Sequence, residues 1–268
     1  MEVNCEPEDA MIVTRQDEIE KLKEIGTIVA DCLKLMLGSI EPGMTTLELD
    51  AIGKKFLDDH EAQSAPQVCY DFPGATCISL NHEAAHGIPK SNRVIQPGDL
   101  INIDVSAEKA GFFGDTGATL AFQSQNPTFK HLCSATKKAL QSAMKELRPG
   151  ANINVIGKAI EKTANKEKLT IIRNLCSHGV GKTLHDEPQQ ILSYYDPKER
   201  RVIQDGLTFT IEPFLSNGST GVVELDDGWT LSNPKGLYSA QYEHTMIVTK
   251  SGVITTTLPS KGAPFLPK

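Results

Sequence analysis

The feature that most constrains this fold is the alternating stretch over residues 101–122, which reads INIDVSAEKAGFFGDTGATLAF. Two alternating runs flank residues 108–111 (EKAG), and a short connection with glycine between such runs predicts a β-hairpin. If those four residues form the loop, Asp104 lies opposite Asp115. Directly opposed side chains in an antiparallel pair have Cβ atoms about 4.5–5.5 Å apart, so like charges there destabilise the sheet. The hairpin therefore predicts a positive group between the two aspartates.

The alternative for this pair is a solvated strand face, on which acidic side chains are common. A register slip of one residue would also separate the two aspartates. The hairpin alone leaves both interpretations open, and the rest of the chain has to distinguish them.

The charge balance excludes some classes of partner. The chain has 268 residues, with 27 Lys and Arg against 34 Asp and Glu, a formal charge of −7 and an isoelectric point of about 5.5. This balance provides no basic footprint for nucleic acid or anionic lipid. The N-terminus lacks the positive region of a signal peptide, and no apolar run approaches the roughly 20 residues of a membrane span. We expect a soluble cytoplasmic protein with neither a nucleic-acid nor a membrane partner.

The six cysteines are scattered through the chain without any C-x-x-C pair. That distribution predicts neither a disulfide framework nor a structural zinc site. Most of these cysteines are expected to be small buried hydrophobic residues.

Helical periodicity and turn signals predict one α+β domain over residues 14–258, between an N-terminal extension (1–13) and a Pro-rich tail (259–268). Capping boxes are expected at Thr14 with Asp17 and at Thr45 with Glu48. Residues 63–74 have no period and are expected to be a loop. Pro42-Gly43 and Pro149-Gly150 both connect a long helix to a second one, which suggests an internal duplication. Helices are predicted up to Gly38, from 45 to about 60, from 127 to 147 and after 150. Besides the hairpin, strands are predicted over 75–80, 169–173, 207–214, 241–249 and 253–258.

Three short segments place polar residues inside otherwise apolar patterns, namely 176–188 (CSHGVGKTLHDEP), 208–214 (TFTIEPF) and 241–248 (QYEHTMIV). Glu212 and Glu243 lie within strand-like runs, where a buried carboxylate needs a charged partner or a metal. Either glutamate alone could instead point to water from an edge strand.

The combination favours a metal centre. Four carboxylates and one histidine at one place would carry a formal charge of −4, which a low-dielectric interior cannot hold without compensation. Two divalent cations would neutralise that charge. An oxygen-rich set with one imidazole suits Mn²⁺, Fe²⁺, Co²⁺ or Zn²⁺ at a two-metal hydrolytic centre.

The order of the motifs resembles that of the methionine aminopeptidases. The matching motifs are IDV at 103–105, GDT at 114–116, HGVG at 178–181 followed by His185, IEP at 211–213 and QYEH at 241–244, with NHEAAHGIP at 81–89 upstream. The resemblance covers roughly residues 15–258 and implies the pita-bread fold, in which two pseudo-symmetric αβ halves surround a central antiparallel sheet. Only 34 residues separate His178 from Glu212, which leaves no room for the helical insertion of second-type enzymes. The resemblance is therefore to the first, bacterial-like type.

The resemblance implies a role for each matched residue. Asp104, Asp115 and Glu243 would hold one metal, while His178 and Glu212 would complete the other, with Asp115 and Glu243 bridging both. Glu212 would also act as the proton shuttle. His86 and His185 resemble the family's catalytic histidines that hydrogen-bond the substrate and the tetrahedral intermediate without binding metal.

The methionine pocket implied by the resemblance is lined by Tyr70, Phe72, Cys77, Leu184 and Trp229. Leu184 stands where many bacterial members have an aromatic residue, and Ser177 stands where glycine is usual. Both departures leave the metal set complete and bear on pocket shape and inhibitor selectivity.

The function implied is metal-dependent removal of the initiator methionine from nascent chains whose second residue is small. Nascent N-termini would be the substrates, the ribosome is a candidate partner, and nothing in the sequence requires more than a monomer. Two alternatives remain: an Xaa-Pro peptidase of the same fold, whose relatives usually carry a further N-terminal domain, and a non-catalytic binding protein that kept the fold.

Overall fold

The computed structural model describes Cys5 and residues 9–261. In this part of the chain the helices are α1 (Gln16–Gly38), α2 (Thr46–Asp59), α3 (Ala65–Tyr70), α4 (Pro127–Met144) and α5 (Asn154–Glu167). The strands are β1 (Gln63–Ser64), β2 (Cys77–Leu80), β3 (Glu83–Ala85), β4 (Leu100–Lys109), β5 (Phe112–Ala121), β6 (Thr170–Ile171), β7 (Cys176–Gly179), β8 (Asp186–Leu192), β9 (Leu207–Ile211), β10 (Phe214–Ser216), β11 (Val223–Glu224), β12 (Leu231–Ser232), β13 (Ser239–Gln241), β14 (His244–Thr249) and β15 (Gly252–Thr255).

The predicted hairpin is formed by β4 and β5, but its register differs from the prediction. Lys109 pairs with Phe112, so only Ala110 and Gly111 form the loop, with φ of 52° and 78°. Two consecutive positive φ values are typical of a type I′ turn, whose twist matches that of the strands it joins. Asp104 therefore pairs with Gly117, and Asp115 pairs with Ser106. The expectation that the aspartates oppose each other directly is wrong; they are diagonal neighbours on one face.

One of the two predicted capping boxes is present at a helix start. Glu48 accepts from the backbone N–H of Thr45 at 2.8 Å, and the Thr45 hydroxyl accepts from the N–H of Glu48 at 3.1 Å. This confirms the predicted capping box of α2. At the start of α1 the carboxylate that accepts from the backbone belongs to Glu18 rather than Asp17.

The prediction of a loop over residues 63–74 is wrong, because this segment contains β1 and the single helix α3. The Ser64 hydroxyl accepts from the backbone N–H of Gln67, and Pro66 lies in the first turn, where its missing N–H leaves no bond unmade. A helix of six residues is too short to show a helical period in the sequence.

Two predicted strands are interrupted at their glutamates. Residues 207–214 divide into β9 and β10 around Glu212, and residues 241–249 divide between β13 and β14 around Glu243. Ile211 pairs with His244 and Phe214 with Gln241. The register on both sides of the interruption thus places Glu212 opposite Glu243. The short strands β3, β7, β8, β11 and β12 were not predicted.

Two antiparallel sheets meet along β5 and β14. One contains β4, with β5 on one side and β1 and β2 on the other, while the second has the order β15-β14-β9-β7-β8. The Thr245 hydroxyl donates to the carbonyl of Asp115 at 2.8 Å, and the N–H of Glu243 donates to the carbonyl of Gly117 at 2.9 Å. Helices α1 and α2 pack together, as do α4 and α5. The α+β class with two helix-then-strand halves is confirmed.

The N-terminal segment joins the second sheet. The backbone N–H of Val13 donates to the carbonyl of Gly206, and that of Thr208 donates to Met11. The division at residues 13 and 258 stays a prediction, and residues 1–4, 6–8 and 262–268 of the predicted extension and tail lie outside the described part. No helix among the described residues is long and apolar enough to cross a membrane.

Cys5 forms a disulfide with Cys69, 64 residues away along the chain. The expectation that the cysteines form no disulfide is wrong for this pair, because sequence spacing does not show which distant segments meet. Cys32 and Cys77 are buried as expected, while Cys133 and Cys176 are half-buried free thiols.

Candidate active site

The five predicted metal ligands come from the places where the two sheets meet. Asp104 and Asp115 lie on one face of the β4–β5 hairpin, and Glu212 and Glu243 occupy the two facing interruptions. His178 lies at a register shift of β7, between the pairs Ser177–Ile191 and Gly179–Asp186. The extra residues of this irregularity lie on β8, and such local breaks of a ladder are frequent next to active sites. The fold thus directs all five side chains to one region.

The interatomic distances show how closely these groups approach. His178 Nε2 lies 3.7 Å from Asp115 Oδ2 and 3.4 Å from Glu212 Oε1. One ligand atom each of Asp115, His178 and Glu243 lies within 4.8 Å of the other two. The carboxyl groups of Asp104 and Asp115 are close enough for each to change the pKa of the other. Five potential ligands are therefore contiguous, although the assignment of each one to a metal stays a prediction.

Two carboxylate oxygens provide a direct test of whether this site fits a cation. Asp115 Oδ1 and Glu243 Oε1 are buried, and neither has a hydrogen-bond partner among the described residues. A buried acceptor without a partner is costly, and the cost is larger for a charged group. Within the described part of the chain, His178 is the basic side chain that pairs with this cluster. The donor set therefore fits divalent cations, which would satisfy both orphaned oxygens.

Two of the other carboxylate oxygens are held in place by neutral donors. Gln241 Nε2 donates to Glu243 Oε2 at 2.9 Å, and Asn102 Nδ2 donates to Gln241 Oε1 at 2.8 Å. The Thr210 hydroxyl donates to Glu212 Oε1 at 3.3 Å. Such outer contacts fix the orientation of carboxylates that ligate metals.

The side chain of Ser177 contacts the site through the backbone of Glu212. Its buried hydroxyl accepts from the N–H of Glu212 at 2.9 Å. Ser177 is not among the residues that line the cavity. This departure from the family pattern thus supports the position of Glu212 instead of changing the cavity wall.

The tautomer of His178 follows from its neighbour. Nδ1 lies 2.9 Å from the carbonyl oxygen of Gly179, and a carbonyl can only accept, so Nδ1 carries the proton. Nε2 is left with its lone pair toward Asp115 and Glu212. Burial lowers the pKa of His178 to about 4, so the ring is neutral at neutral pH, as a metal ligand must be.

The carboxyl groups respond to burial in the opposite direction. Burial raises the pKa of Asp104 to about 6. Burial, followed by repulsion from neighbouring carboxylates, also raises the pKa of Asp115, Glu212 and Glu243 well above their usual values. Without a cation the cluster therefore retains protons, and cation binding has to displace them.

Because of this competition, we expect added Mn²⁺ to raise the melting temperature more at about pH 7.5 than at about pH 5. A carboxyl whose pKa is raised by folding stabilises the fold below its unfolded pKa, and this stabilisation is lost as pH rises through the folded value. For Asp104 that window runs upward from its usual value of 3.8 to about 6. Thermal unfolding in EDTA and in Mn²⁺ at both pH values measures the difference.

The control for this experiment is an exposed aspartate. Asp59→Asn alters a surface pair with Lys55 and should leave the pH dependence of the Mn²⁺ effect unchanged, whereas Asp104→Asn should reduce it. An equal Mn²⁺ effect at both pH values would contradict a proton-retaining cluster.

A cavity of about 250 Å³ opens beside the carboxylates. Phe72, Cys77 and Ile88 form an apolar cluster at one end, with Trp229 against it. The rings of Phe72 and Trp229 meet edge to face, with centroids 5.2 Å apart. Leu184 also lines the cavity and packs with Ala65, Phe113 and Val180. An apolar chamber next to a polar cluster is the usual form of a small-molecule site.

The remaining predicted residues also line this cavity. His86 and His185 both line it, His86 with a positive φ of 54°. The ring of His185 lies 4.2 Å from that of His178, centroid to centroid. Tyr70, predicted to line the methionine pocket, lines the cavity but hydrogen-bonds His185 through its hydroxyl.

The sequence interpretation did not include several residues of the site. Gln241 and Thr210 lie within the segments that were singled out, so their polar side chains inside buried strands were a usable signal. Asn102 shares the strand face of Asp104. Ser106 shares that face as well, and Cys176 and Phe214 lie at the ends of the segments 176–188 and 208–214. Further cavity residues carry no such signal: Pro66, Asn174, Leu175 and Gln189.

Comparisons with known proteins agree with this geometry. The profile of the Metallopeptidase family M24 matches residues 20–250. The chain is 43% identical to methionine aminopeptidase 2 of Bacillus subtilis over 247 residues, covering 92% of this chain and 99% of that protein.

Solved structures give the same picture. The crystal structure of methionine aminopeptidase from Rickettsia prowazekii is 33% identical and covers 93% of this chain and 100% of that one, with a TM-score of 0.88. The prolidase from Pyrococcus furiosus is 20% identical, with a TM-score of 0.73, and this chain covers only 66% of it. The second similarity shows a shared fold and nothing more.

Proposed function

Because this chain belongs to metallopeptidase family M24, we propose that it is a methionyl aminopeptidase. It hydrolyses the first peptide bond of chains that begin with methionine and continue with a small residue. The observation that carries this proposal is the pair of orphaned carboxylate oxygens, on Asp115 and Glu243, beside an apolar chamber. The fold is the pita-bread arrangement of this family.

The proposed metal centre uses all five ligands. Asp104, Asp115 and Glu243 would hold one divalent cation, and His178 and Glu212 would complete the site of a second together with Asp115 and Glu243. When bound, such ions lower the pKa of water and polarise the carbonyl of the scissile bond. Mn²⁺, Fe²⁺, Co²⁺ and Zn²⁺ all suit a site with carboxylates and one imidazole.

The chain's own groups supply proton transfer and hydrogen bonds. Glu212 lines the cavity, where its carboxylate can take a proton from water and return it to the leaving amine. His86 and His185 line the same cavity and hydrogen-bond the substrate backbone and the developing oxyanion.

Substrate selection follows from the apolar part of the cavity. Phe72, Cys77 and Trp229 surround the methionine side chain, and sulfur–aromatic contacts favour a thioether there. A large second residue would collide with the rim of the cavity.

The test is turnover of Met-Ala-Ser against matched Xaa-Pro peptides by the metal-loaded protein. We expect release of free methionine from Met-Ala-Ser and slower turnover by at least about 10²-fold for Ala-Pro-Ser and Met-Leu-Ser. Faster cleavage of Ala-Pro-Ser would favour the Xaa-Pro alternative. Retained metal without turnover of any of these peptides would favour a binding protein.

The cellular setting of this activity is part of the proposal. We infer that the enzyme acts in the cytoplasm on N-termini of nascent chains, with the ribosome as a candidate docking partner, and works as a monomer. Its net charge of −7 favours contact with ribosomal proteins over contact with RNA phosphate.

A further inference from the structure

Tyr70 and His185 form a hydrogen bond between two different walls of the cavity. Tyr70 is the last residue of α3, and His185 lies just before β8. The bond joins the Tyr70 hydroxyl to Nδ1 of His185. The two rings are tilted by 50°, with centroids 5.6 Å apart, so the contact is directional and not a stacking contact.

The chemistry of the two groups assigns the direction of this bond. A phenol is a better donor than a neutral imidazole N–H, and a bare imidazole nitrogen is a better acceptor than a phenol oxygen. Burial, followed by the charge of Asp115, raises the pKa of Tyr70, so the phenol keeps its proton. Tyr70 therefore donates and Nδ1 of His185 accepts, which leaves the imidazole proton on Nε2.

We propose that Tyr70 is a positioning residue that holds His185 as its Nε2–H tautomer, so that His185 donates a hydrogen bond to the substrate carbonyl oxygen. The inference rests on the proposed function. His178, whose ring lies 4.2 Å away, has the opposite tautomer, because its Nδ1–H donates to the carbonyl oxygen of Gly179. One histidine thus presents a lone pair to the cations, and its neighbour presents a proton to the substrate.

The surrounding structure keeps the backbone of His185 fixed, so that Tyr70 has to orient only the ring. Asp186 accepts from the backbone N–H groups of Lys182 and Thr183, at 2.9 and 3.1 Å. The N–H of Phe113 donates to the carbonyl of Gly181 at 2.9 Å. The loop before β8 is therefore held by bonds that do not involve Tyr70. Loss of the Tyr70 hydroxyl should not displace the backbone of His185.

Tyr70→Phe tests this role in the metal-loaded enzyme. We expect kcat for Met-Ala-Ser to fall about 5- to 30-fold, as for loss of one orienting hydrogen bond, and KM to change by less than about two-fold. The methionine chamber of Phe72 and Trp229 should be unaffected. Tyr195→Phe removes a hydroxyl from a side chain that is 47% exposed and should change neither constant.

A double-mutant cycle separates positioning from packing. In a His185→Ala background, Tyr70→Phe should lower kcat by less than about two-fold, since there is no ring left to orient. A full 5- to 30-fold effect in that background, or a change in KM alone, would overturn the proposal.

The second readout does not depend on turnover. Imidazole ¹⁵N spectra of the Zn²⁺-loaded protein, with His185 assigned through His185→Ala, should show a protonated Nε2 and a bare Nδ1 that accepts a hydrogen bond. Tyr70→Phe should shift the Nδ1 signal and mix the two tautomers. A protonated Nδ1 in the unsubstituted enzyme would overturn the tautomer assignment even if methionyl peptides are cleaved. If methionyl peptides are not cleaved, the proposed function is wrong, and the spectra still show which nitrogen of His185 carries the proton.

Discussion

Replacing Asp115 with asparagine should abolish hydrolysis of Met-Ala-Ser, with a fall in kcat/KM of at least about 10³-fold, and should reduce the amount of bound metal. Asparagine has nearly the same size as aspartate but is neutral, and it presents one amide nitrogen that cannot ligate. Under the proposed assignment both cations lose a shared ligand. The measurements are peptide turnover and metal content per chain after dialysis against Mn²⁺.

A second consequence of this substitution concerns stability. In EDTA the Asp115→Asn protein should melt at the same temperature as the unsubstituted protein or higher, because a carboxyl whose ionised form is disfavoured by burial and by Asp104 and Glu212 is replaced by a neutral amide. In Mn²⁺ the order should reverse, since the unsubstituted protein alone is fully stabilised by metal. A structural role would instead lower the melting temperature in both buffers.

The matched control is Asp205→Asn, which removes an exposed carboxylate paired with Lys250 and should leave turnover and metal content unchanged. Unchanged turnover in Asp115→Asn would refute the shared-ligand assignment. Lost turnover with full metal content would place Asp115 in a role other than metal binding.

The sequence predicts which residues form this site better than it predicts how their strands pair. Asp104 and Asp115 were found because two carboxylates on one face of a hairpin need compensation, and that argument survives a change of pairing by two residues. The pairing itself depends on whether EKAG forms a four- or a two-residue loop. Ala110 adopts a positive φ of 52°, which is unfavourable for a residue with a Cβ, so the sequence alone favours the wrong loop.

Contacts between distant segments account for most of what was missed. Gly117 pairs with Asp104, and a Cβ added there would lie 2.4 Å from Gln241 Oε1. The glycine therefore makes room for the side chain that holds Glu243. Nothing within GDTG shows this requirement, since Gln241 is 124 positions further along the chain.

The interruptions at Glu212 and Glu243 have a related cause. Each segment has the apolar pattern of one continuous strand, but the backbone N–H of Glu243 donates to Gly117 and that of Glu212 donates to the Ser177 hydroxyl. Pro213, which has no N–H, cannot continue the ladder after Glu212. Local propensity describes the strand on either side of each glutamate, while the break depends on the partner strand.

His185→Ala should lower kcat for Met-Ala-Ser by about 10²- to 10³-fold and leave the metal content unchanged. His185 lines the cavity, but the ligand atoms that converge within 4.8 Å belong to Asp115, His178 and Glu243. Its ring is therefore available to the substrate without being needed by the cations. Loss of metal in this variant would show that His185 is a ligand and that its catalytic assignment is wrong.

His185→Gln gives a sharper form of the same experiment, because glutamine keeps a neutral N–H donor in place of the imidazole Nε2–H. If His185 acts as a hydrogen-bond donor to the developing oxyanion, glutamine should recover part of the kcat lost in His185→Ala, about ten-fold, with KM unchanged. His131→Ala, at a ring whose side chain is 45% exposed, serves as the control for removal of a histidine. Equal losses in the alanine and glutamine variants would instead mean that the ring acts through a proton that it gains or loses, which an amide cannot do.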